Sequence, residues 1–523
     1  MRRESAAYDH RLVSKSSWAN LLTARACAEA SEVKVCFVST TASSWGMHRE
    51  VERETPRALL DHSGAASEHV PPSSGGENWF GEGFWAAAVL AVGVSAAGFA
   101  IAFRSSLAFA LESAAGTSSV VSAMREAPVW VRVVSPALGG LLAGALGLLV
   151  RRSPGGQGVG AVMEAVVLGR VGLSLPATLL RSAASWVAIA TGGSLGREGP
   201  LIQFGGAAGR FIGEKMSMSR RRARILIAAG TAAGFAAAYN TPFAAVLFVL
   251  EVVLGIVALE AIIPVLAATA LATTLTRAVV GEGPIYGQRA FQIESANELF
   301  AFAALGICAA LGAQAFMRVL SLGEKLFRAS RVPLPWRPAI GGALAGAVIA
   351  FLPDVAGNGY EPLNSLLDGT LAIPFVAVLL LGKVVATTAS VGSGSPGGVF
   401  TPTLLIGGAL GGLFAHFIRL LGFETGPVGG YELVGMAAAT AATTHAPLMA
   451  AVMVFELSGD YAIVLPLVLA TAVATQISRA LRPDSIYAAE LKERGLGWEL
   501  TIEGRRLVGQ DRPPQDHGSD EKP

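Results

Sequence analysis

Long apolar stretches without charged residues alternate with short polar segments along most of the chain. Residues 83–103 and 133–150 contain no charged side chain, residues 225–250 form an uncharged run of 26, and in the 35-residue run 384–418 only His416 titrates near neutrality. Further apolar stretches are 261–276, 299–317, 339–353, 433–455 and 461–478. A helix needs about 20 apolar residues to cross a bilayer. The pattern therefore predicts an all-α polytopic membrane protein.

These apolar stretches are uneven in length and many contain Gly or Pro. Pro447 and Pro466, for example, interrupt the last two of them. Irregular backbone at membrane depth is tolerated only where protein covers it or where it lines a cavity. We therefore expect tilted and broken helices arranged around a transport path.

Both ends of the chain are polar. Residues 1–77 are mixed in charge and rich in Ser, Ala and Glu, a composition typical of disorder, and one hypothesis places the true start of the protein at Met47. We expect a membrane domain over residues 78–495 that closes with a short pore-lining helix over 484–494. Residues 496–523 form a polar tail, which we expect to be too short for a further folded or regulatory domain.

Composition narrows the class of protein further. Hydrophobic residues make up 52% of the chain and charged residues 15%, whereas soluble chains carry about 25% charged residues. The net charge of +2 does not indicate the basic surface that a nucleic-acid-binding protein needs. Three scattered cysteines predict neither a disulfide framework nor a zinc site, and we expect no metal and no cofactor. The basic linker 214–224 is predicted to be cytoplasmic.

Three motifs recur in the same order in the two halves of the chain. Gly156-Gln-Gly-Val159 matches Gly357-Asn-Gly-Tyr360, residues 200–209 match 402–411, and Pro242 with Glu251 matches Pro447 with Glu456, at offsets of 201, 202 and 205 residues. Gly/Ala-rich membrane helices resemble one another by composition alone, but three ordered matches favour a duplication. We expect repeat 1 over about 78–280 and repeat 2 over about 295–480, with the substrate between them.

The most informative motif is Gly193-Ser-Leu-Gly-Arg-Glu-Gly-Pro200. It places Arg197 and Glu198 in an otherwise apolar region, where a charge costs several kcal/mol and should face a cavity. Pro200 suits the first turn of a helix, and the start of a helix attracts negative charge. Glu198 therefore stands where it can mimic an anion and vacate the site when it is protonated or displaced.

Two further glycine turns carry no acid at a helix start. In Gly392-Ser-Gly-Ser-Pro-Gly-Gly-Val-Phe-Thr-Pro402, the backbone amides of Val399 and Phe400 are offered at the start of a helix. Such a site binds an anion without a counter-charge, weakly enough for the ion to leave. The turn 155–160 opens another short helix and contains Gln157.

The motifs at 196–200 and 392–402, together with the paired Pro-x8-Glu helices, resemble the CLC family of chloride channels and chloride/proton exchangers over roughly residues 80–495. The resemblance implies two inverted repeats, a homodimer with one pore per subunit, Glu198 as the gating glutamate, and chloride coordination by the amides of Val399 and Phe400 and by the Tyr487 hydroxyl. On its own, Tyr487 also fits an interfacial anchor. The residues expected to bind the anion are Gln157, Gly158, Gly199, Val399, Phe400 and Tyr487.

Two positions depart from the family pattern. The first glycine turn of the family usually reads GSGIP, with a chloride-coordinating serine, whereas here Gln157 and Gly160 replace the serine and the proline. A fluoride-selective relative is therefore an alternative, although the intact GREGP favours chloride. Exchangers carry an internal glutamate where this chain has Val252, which resembles the channel branch. We expect channel-like passive flux, with a chloride/proton exchanger as the alternative.

Other polar residues in the apolar regions are expected to be structural. Glu251 and Glu456 are predicted to cap or pair, Arg197 to pair with a carboxylate or carbonyl, and His445 to stand at a helix start. An intramembrane enzyme needs a side-chain constellation that His416 and His445 do not supply, so we expect no enzyme. A sodium-coupled carrier fits less well than an anion carrier. The expected surroundings are lipid and the bacterial inner membrane.

Overall fold

The computed structural model describes residues 78–150, 157–168, 172–281, 286–287, 291, 297–493, 497–501 and 504–508. The predicted N-terminal segment 1–77 and residues 509–523 of the polar tail lie outside the described residues, as do the first glycines of the turn 155–160. The description below concerns the unit that begins at residue 74.

In the first half of the membrane region, the described residues form nine helices and one π-helical turn. They are α1 (Asn78–Ala115), α2 (Val120–Glu126), α3 (Val129–Val150), α4 (Gly158–Leu168), α5 (Leu175–Ala190), α6 (Glu198–Lys215), α7 (Arg220–Tyr239), α8 (Pro242–Phe248), the π-helical turn Val249–Leu254 and α9 (Leu259–Val280).

The second half repeats this pattern of long and short helices. It contains α10 (Glu298–Ala329), α11 (Trp336–Phe351), a 3₁₀ turn (Pro353–Val355), α12 (Tyr360–Leu367), α13 (Ile373–Gly392), α14 (Phe400–Leu420), α15 (Val428–Thr444), α16 (Pro447–Ser458), α17 (Val464–Leu481) and α18 (Ile486–Glu493). Two strands follow, β1 (Gly497–Thr501) and β2 (Gly504–Val508), which pair antiparallel with Gly497 opposite Val508. The hairpin lies in the tail that the sequence predicted only as polar.

Within the described residues, seven helical segments are long and apolar enough to cross a membrane. They are Gly81–Glu126, Val129–Val150, Leu259–Val280, Glu298–Ala329, Ile373–Gly392, Phe400–Leu420 and Val464–Lys492. At 1.5 Å per residue, α1 and α10 are about 57 and 48 Å long, well above the hydrocarbon thickness of about 30 Å. Helices α4, α8, α12, α16 and α18 have 7 to 12 residues and are too short to cross. The predicted all-α polytopic fold is confirmed.

Glycines set the distance between the most closely packed helices. A Cβ at Gly205 of α6 would meet the carbonyl oxygen of Gly230 in α7, and a Cβ at Gly230 would meet that of Gly205. Gly407 of α14 and Gly435 of α15 repeat this reciprocal contact in the second half. Small residues allow membrane helices to pack backbone against backbone, where lipid offers no hydrophobic drive.

A reciprocal pair of helix caps joins the two halves. The Glu456 carboxylate accepts hydrogen bonds from the N–H groups of Phe243 and Ala244 (3.1 and 2.8 Å) at the start of α8. The Glu251 carboxylate accepts hydrogen bonds from the second and third residues of α16 (3.3 and 2.7 Å). Each acid satisfies amides that a helix start leaves open. The structure thus confirms that both glutamates cap helices. Each half caps a helix of the other half, as expected for two halves related by an approximate two-fold axis.

The residues before α8 and α16 are also equivalent. Asn240 and His445 both have left-handed backbone (φ 61° and 59°) and end α7 and α15. Arg277 donates to Asn240 Oδ1 (2.6 Å), and Arg479 donates to the His445 carbonyl oxygen (2.9 Å). The prediction that His445 stands at a helix start is wrong, because its left-handed conformation terminates α15 before Pro447 opens the next helix.

Candidate functional site

Glu198 occupies the first position of α6 and points at the start of α14. Its side chain is 1% exposed. Oε1 accepts a hydrogen bond from the Phe400 N–H (2.9 Å), and Oε2 accepts one from the Thr401 hydroxyl (3.0 Å). Phe400 is the first residue of α14, so its amide is one of those that the helix leaves without an internal partner. The carboxylate therefore sits in the positive end of the α14 dipole.

The loops before α6 and α14 are tied together by their glycines. Gly196 donates to the Gly398 carbonyl oxygen (2.7 Å), and Gly398 donates to that of Gly196 (2.8 Å), as an isolated antiparallel bridge. A Cβ at either glycine would collide with the Glu198 carboxylate. This bridge brings the two helix starts together, and the Glu198 carboxylate fills the space that a side chain at either glycine would need.

A hydroxyl chain continues from Glu198 into the protein. Tyr239 Oη lies 2.9 Å from Thr401 Oγ1, and because the Thr401 proton is used on Glu198, Tyr239 donates this second bond. The Phe400 ring packs on the rings of Tyr239 and Phe235 at centroid distances of 5.5 and 5.6 Å. Tyr239 and Thr401 were not among the predicted site residues; a hydroxyl on an apolar helix is too common to single out from sequence.

A cavity of about 220 Å³ extends from Glu198 to the C-terminal helix α18. It contains most of the predicted site residues, since the lining includes Gln157, Gly158, Glu198, Gly199, Val399 and Tyr487. Phe400 contacts Glu198 through its amide, while its buried ring lies among the aromatic side chains described above. The structure thus brings together the three glycine turns and Tyr487, which are far apart in sequence.

The turn before α4 contains Gln157 and Gly158, which were predicted to bind the anion. Gly158 has left-handed backbone (φ 61°), and its N–H donates to Gln203 Oε1 (2.9 Å) on α6. That amide is used inside the protein, so Gly158 lines the cavity without offering its N–H to an ion. Gln157, one residue earlier, is exposed and lines the same cavity.

Val252 lies in the π-helical turn that follows α8 and is fully buried (0% exposed). π-Helical turns insert one residue into a helix and occur often at functional sites. Here the turn presents Glu251 to the start of α16, and the next residue is an apolar side chain inside the core. Val252 lies outside the cavity lining.

Two cations lie close to the glycine turns. Lys383 of α13 is fully buried, and its ammonium group donates to the carbonyl oxygens of Val355 and Gly357 (3.0 and 2.9 Å). Arg197 stacks over the Tyr360 ring, 4.7 Å from its centroid, so an aromatic ring takes the place of the carboxylate or carbonyl expected for it. In the sequence, Lys383 follows an apolar stretch. A charge at such a position could have identified Lys383 as a candidate site residue.

Among the described residues, no group of three or more His, Cys, Asp or Glu side chains is placed to hold a metal ion. The groups predicted to bind the anion, at Gln157, Val399 and Tyr487, are neutral, although the lining also includes the charged residues Arg181, Glu198, Glu324 and Glu490. Such neutral donors suit an anion that must bind and leave.

Comparisons with known proteins agree with this geometry. The family model described as voltage gated chloride channel matches residues 139–479. The chain is 37% identical over 406 residues to a putative ClcB-like chloride channel protein of Ralstonia nicotianae, covering 76% of this chain and 95% of that protein. It is 34% identical over 379 residues to the voltage-gated ClC-type chloride channel ClcB of Escherichia coli, covering 71% and 89%.

Solved structures share the fold. A slow cyanobacterial Cl⁻/H⁺ antiporter superposes with a TM-score of 0.70 at 24% identity, covering 79% of this chain and 98% of that one. A CLC-type fluoride/proton antiporter superposes with a TM-score of 0.64 at 23% identity, covering 78% and 98%. The matched family consists of channels and transporters, not enzymes. This chain therefore belongs to the voltage-gated chloride channel (CLC) family of integral membrane anion transporters.

Proposed function

We propose that the chain carries chloride across the bacterial inner membrane through a pore gated by Glu198. The observation that carries this proposal is the pair of hydrogen bonds that the Glu198 carboxylate accepts from the Phe400 N–H and the Thr401 hydroxyl. The start of α14 directs both donors at negative charge, whether it belongs to a carboxylate or to a halide. When the side chain moves away, a chloride ion can take the same two donors.

The cavity below Glu198 supplies the rest of the path. Gly199, Val399, Tyr487 and Gln157 line it; a chloride ion there exchanges part of its hydration shell for the Val399 amide, the Tyr487 hydroxyl and the Gln157 side-chain amide. These are neutral donors, so the ion is held loosely and can move on.

Passive, channel-like flux is the favoured mode. Val252 is apolar and fully buried, so it can neither accept nor release a proton. A chloride/proton exchanger, the alternative, would need water to carry the proton to Glu198. The relatives from Ralstonia nicotianae and Escherichia coli are named chloride channels, which supports the favoured mode.

We further propose that the membrane domain spans residues 78–495, with repeats over about 78–280 and 295–480, and that it forms a homodimer with one pore per subunit. Large apolar side chains at the starts of α8 and α16 support a lipid- or subunit-facing surface there, since Phe243 and Leu448 are exposed.

The test is chloride efflux from liposomes that contain the purified protein, in sodium-free buffer. We expect chloride to leave rapidly while gluconate, which is too large for a site built around a halide, is retained. Protein-free liposomes are the control. Chloride efflux that requires sodium, or no efflux above that control, would contradict the proposal.

A further inference from the structure

The Glu198 carboxylate is held by donors of two kinds. The Phe400 N–H (2.9 Å) is offered by the start of α14 and does not depend on which side chain stands there. The Thr401 hydroxyl (3.0 Å) does depend on the residue type. An apolar residue at position 401 would keep the helix start and lose the hydroxyl, so this bond is a part of the site that a single substitution can change.

Tyr239 of α7 holds the Thr401 side chain in place. Its Oη lies 2.9 Å from Thr401 Oγ1, and both residues are buried, with Tyr239 1% and Thr401 0% exposed. The Tyr239 ring packs against Phe235 and Phe400 at centroid distances of 4.9 and 5.5 Å. Hydrogen bonds in such apolar surroundings are electrostatically stronger than in water, and bonds in a chain polarise one another.

The chain of hydroxyls points in one direction. A threonine hydroxyl has a single proton, so while Thr401 donates to Glu198, Tyr239 donates to Thr401. The Phe400 N–H points at the same carboxylate. Hydrogen bonds to an ionised acceptor are roughly twice as strong as those to a neutral one. The chain therefore favours the ionised Glu198 side chain in this position over the protonated one.

Other ionisable groups surround Glu198 and also act on its charge. Those that interact with it electrostatically are Tyr239, Tyr286, Tyr360, Lys383 and Tyr487. Arg197 precedes it in the chain, and the cavity lining adds Arg181, Glu324 and Glu490. Tyrosine ionises near pH 10 in water, so at acid and neutral pH neither the Thr401 nor the Tyr239 hydroxyl carries a charge. Removal of either hydroxyl leaves every charge in this set unchanged.

We infer that Thr401 and Tyr239 are positioning residues of the gate, whose hydroxyls hold the ionised Glu198 side chain at the start of α14 and set the pH at which the pore opens. The inference deepens the proposed function and rests on it, because Glu198 is the proposed gate. Thr401 acts on Glu198 directly, and Tyr239 acts through Thr401.

The first test is T401V, which replaces the hydroxyl by a methyl group of similar size. The readout is initial chloride efflux from liposomes that contain the full-length protein, across a pH series. Half-maximal flux should occur about one pH unit or more above the wild-type value, because the ionised Glu198 loses a hydrogen bond. T401S keeps the hydroxyl and should restore the wild-type value. T231V is the control, since the buried Thr231 hydroxyl donates to the Ile227 carbonyl oxygen of its own helix (2.7 Å).

The second test separates a hydrogen-bonded chain from two independent effects. Y239F should shift the pH of half-maximal flux in the same direction by a smaller amount, because Thr401 still donates to Glu198. In the T401V background, Y239F should add no further shift, since residues in one network are not additive. Y431F is the matched control: Tyr431 is equally buried, but its hydroxyl donates to a different acid, Glu298 (3.2 Å).

The outcomes separate this inference from the proposed function. Chloride flux with the same pH of half-maximal flux in the wild type, T401V and Y239F would overturn the positioning role and leave the proposed function standing. Additive shifts in the double variant would overturn the chain between Tyr239 and Thr401. Wild-type flux that does not respond to pH would contradict both the gate and the inference, and the absence of protein-dependent chloride efflux would contradict the proposed function and the inference with it.

Discussion

The Glu198 carboxylate takes the hydrogen bonds that an anion at the start of α14 would take. Its two oxygens use the Phe400 N–H and the Thr401 hydroxyl, and Tyr239 supports Thr401 from behind. Hydrogen bonds to a charged acceptor are roughly twice as strong as those to a neutral one. If Glu198 is the gate, as proposed, a proton on it weakens its hold on the site, and we expect acid to favour the open pore.

Replacement of Glu198 by Gln should remove this response to pH. We expect chloride flux through the wild-type protein to rise as pH falls, and flux through E198Q to be high and flat, because Gln cannot ionise. The measurement is initial chloride efflux from liposomes across a pH series. E214Q is the control, since Glu214 lies at the exposed end of the same helix, where it pairs with Arg210; it should keep the wild-type profile. A pH-dependent E198Q would contradict a gate at this residue.

Single residues divide into those that sequence can reveal and those that it cannot. Glu198 stands out because a charge in an apolar region must have a purpose, and Val399 and Phe400 stand out because glycines and a proline mark a helix start. Tyr239 and Thr401 do not stand out, because a hydroxyl in a membrane helix is ordinary until its partners are known.

At the scale of elements, the two halves hold each other through the caps that Glu251 and Glu456 place on α16 and α8. Each carboxylate serves two N–H groups that would otherwise lack an acceptor. Loss of a buried acceptor costs about 1–3 kcal/mol, so these caps contribute to the alignment of the halves around the pore.

The caps can be tested by E251Q and E456Q. Gln keeps one oxygen but turns an NH₂ group toward an amide donor, so each variant should lose about 1–3 kcal/mol of stability. The readout is the midpoint of thermal unfolding in detergent. E260Q is the control, because Glu260 forms an exposed ion pair with Arg221, and such pairs contribute about 0–1 kcal/mol. Equal midpoints for all three variants would contradict a structural role of the caps.

Glycine packing between α6 and α7 gives a second prediction at this scale. G205A should lower the unfolding midpoint, because the added methyl group meets the Gly230 carbonyl oxygen in the facing helix. G147A in α3 is the control: no described atom lies within 4 Å of a Cβ there, and Ala favours a helix over Gly by about 1 kcal/mol. G147A should therefore be neutral or stabilising. A stable G205A would contradict backbone-to-backbone packing.

The sequence predicted the long and short helices better than it predicted their local geometry. The paired Pro and Glu positions predicted α8 and α16 with their acids, because a duplicated spacing is visible in the letters. The π-helical turn at Val249–Leu254 was not predicted, since its regular counterpart α16 has the same spacing. Nor was the hairpin β1–β2, which lies beyond the apolar pattern.

At the scale of the whole molecule, the repeats create the pore by bringing equivalent helix starts together. The antiparallel bridge between Gly196 and Gly398 joins positions that are equivalent in the two halves. One of these helix starts carries an acid and the other carries none, so the two halves differ at the proposed gate. The two motifs show this difference in the sequence, but only the structure shows that the motifs contact each other.

Whether protons accompany chloride is also a property of the whole molecule. A proton that crosses the membrane needs acceptors on both sides of the pore, and we expect Glu198 to be one of them. Val252 is buried and apolar, so no second acceptor stands at that position, and we expect chloride to move alone.

The most direct test is chloride efflux from liposomes with the external pH recorded at the same time. We expect rapid chloride flux that dissipates the gradient without proton movement, and no such flux in protein-free liposomes. Uphill proton movement driven by the chloride gradient would contradict it, because it would show an exchanger in which the proton crosses without an acid at Val252.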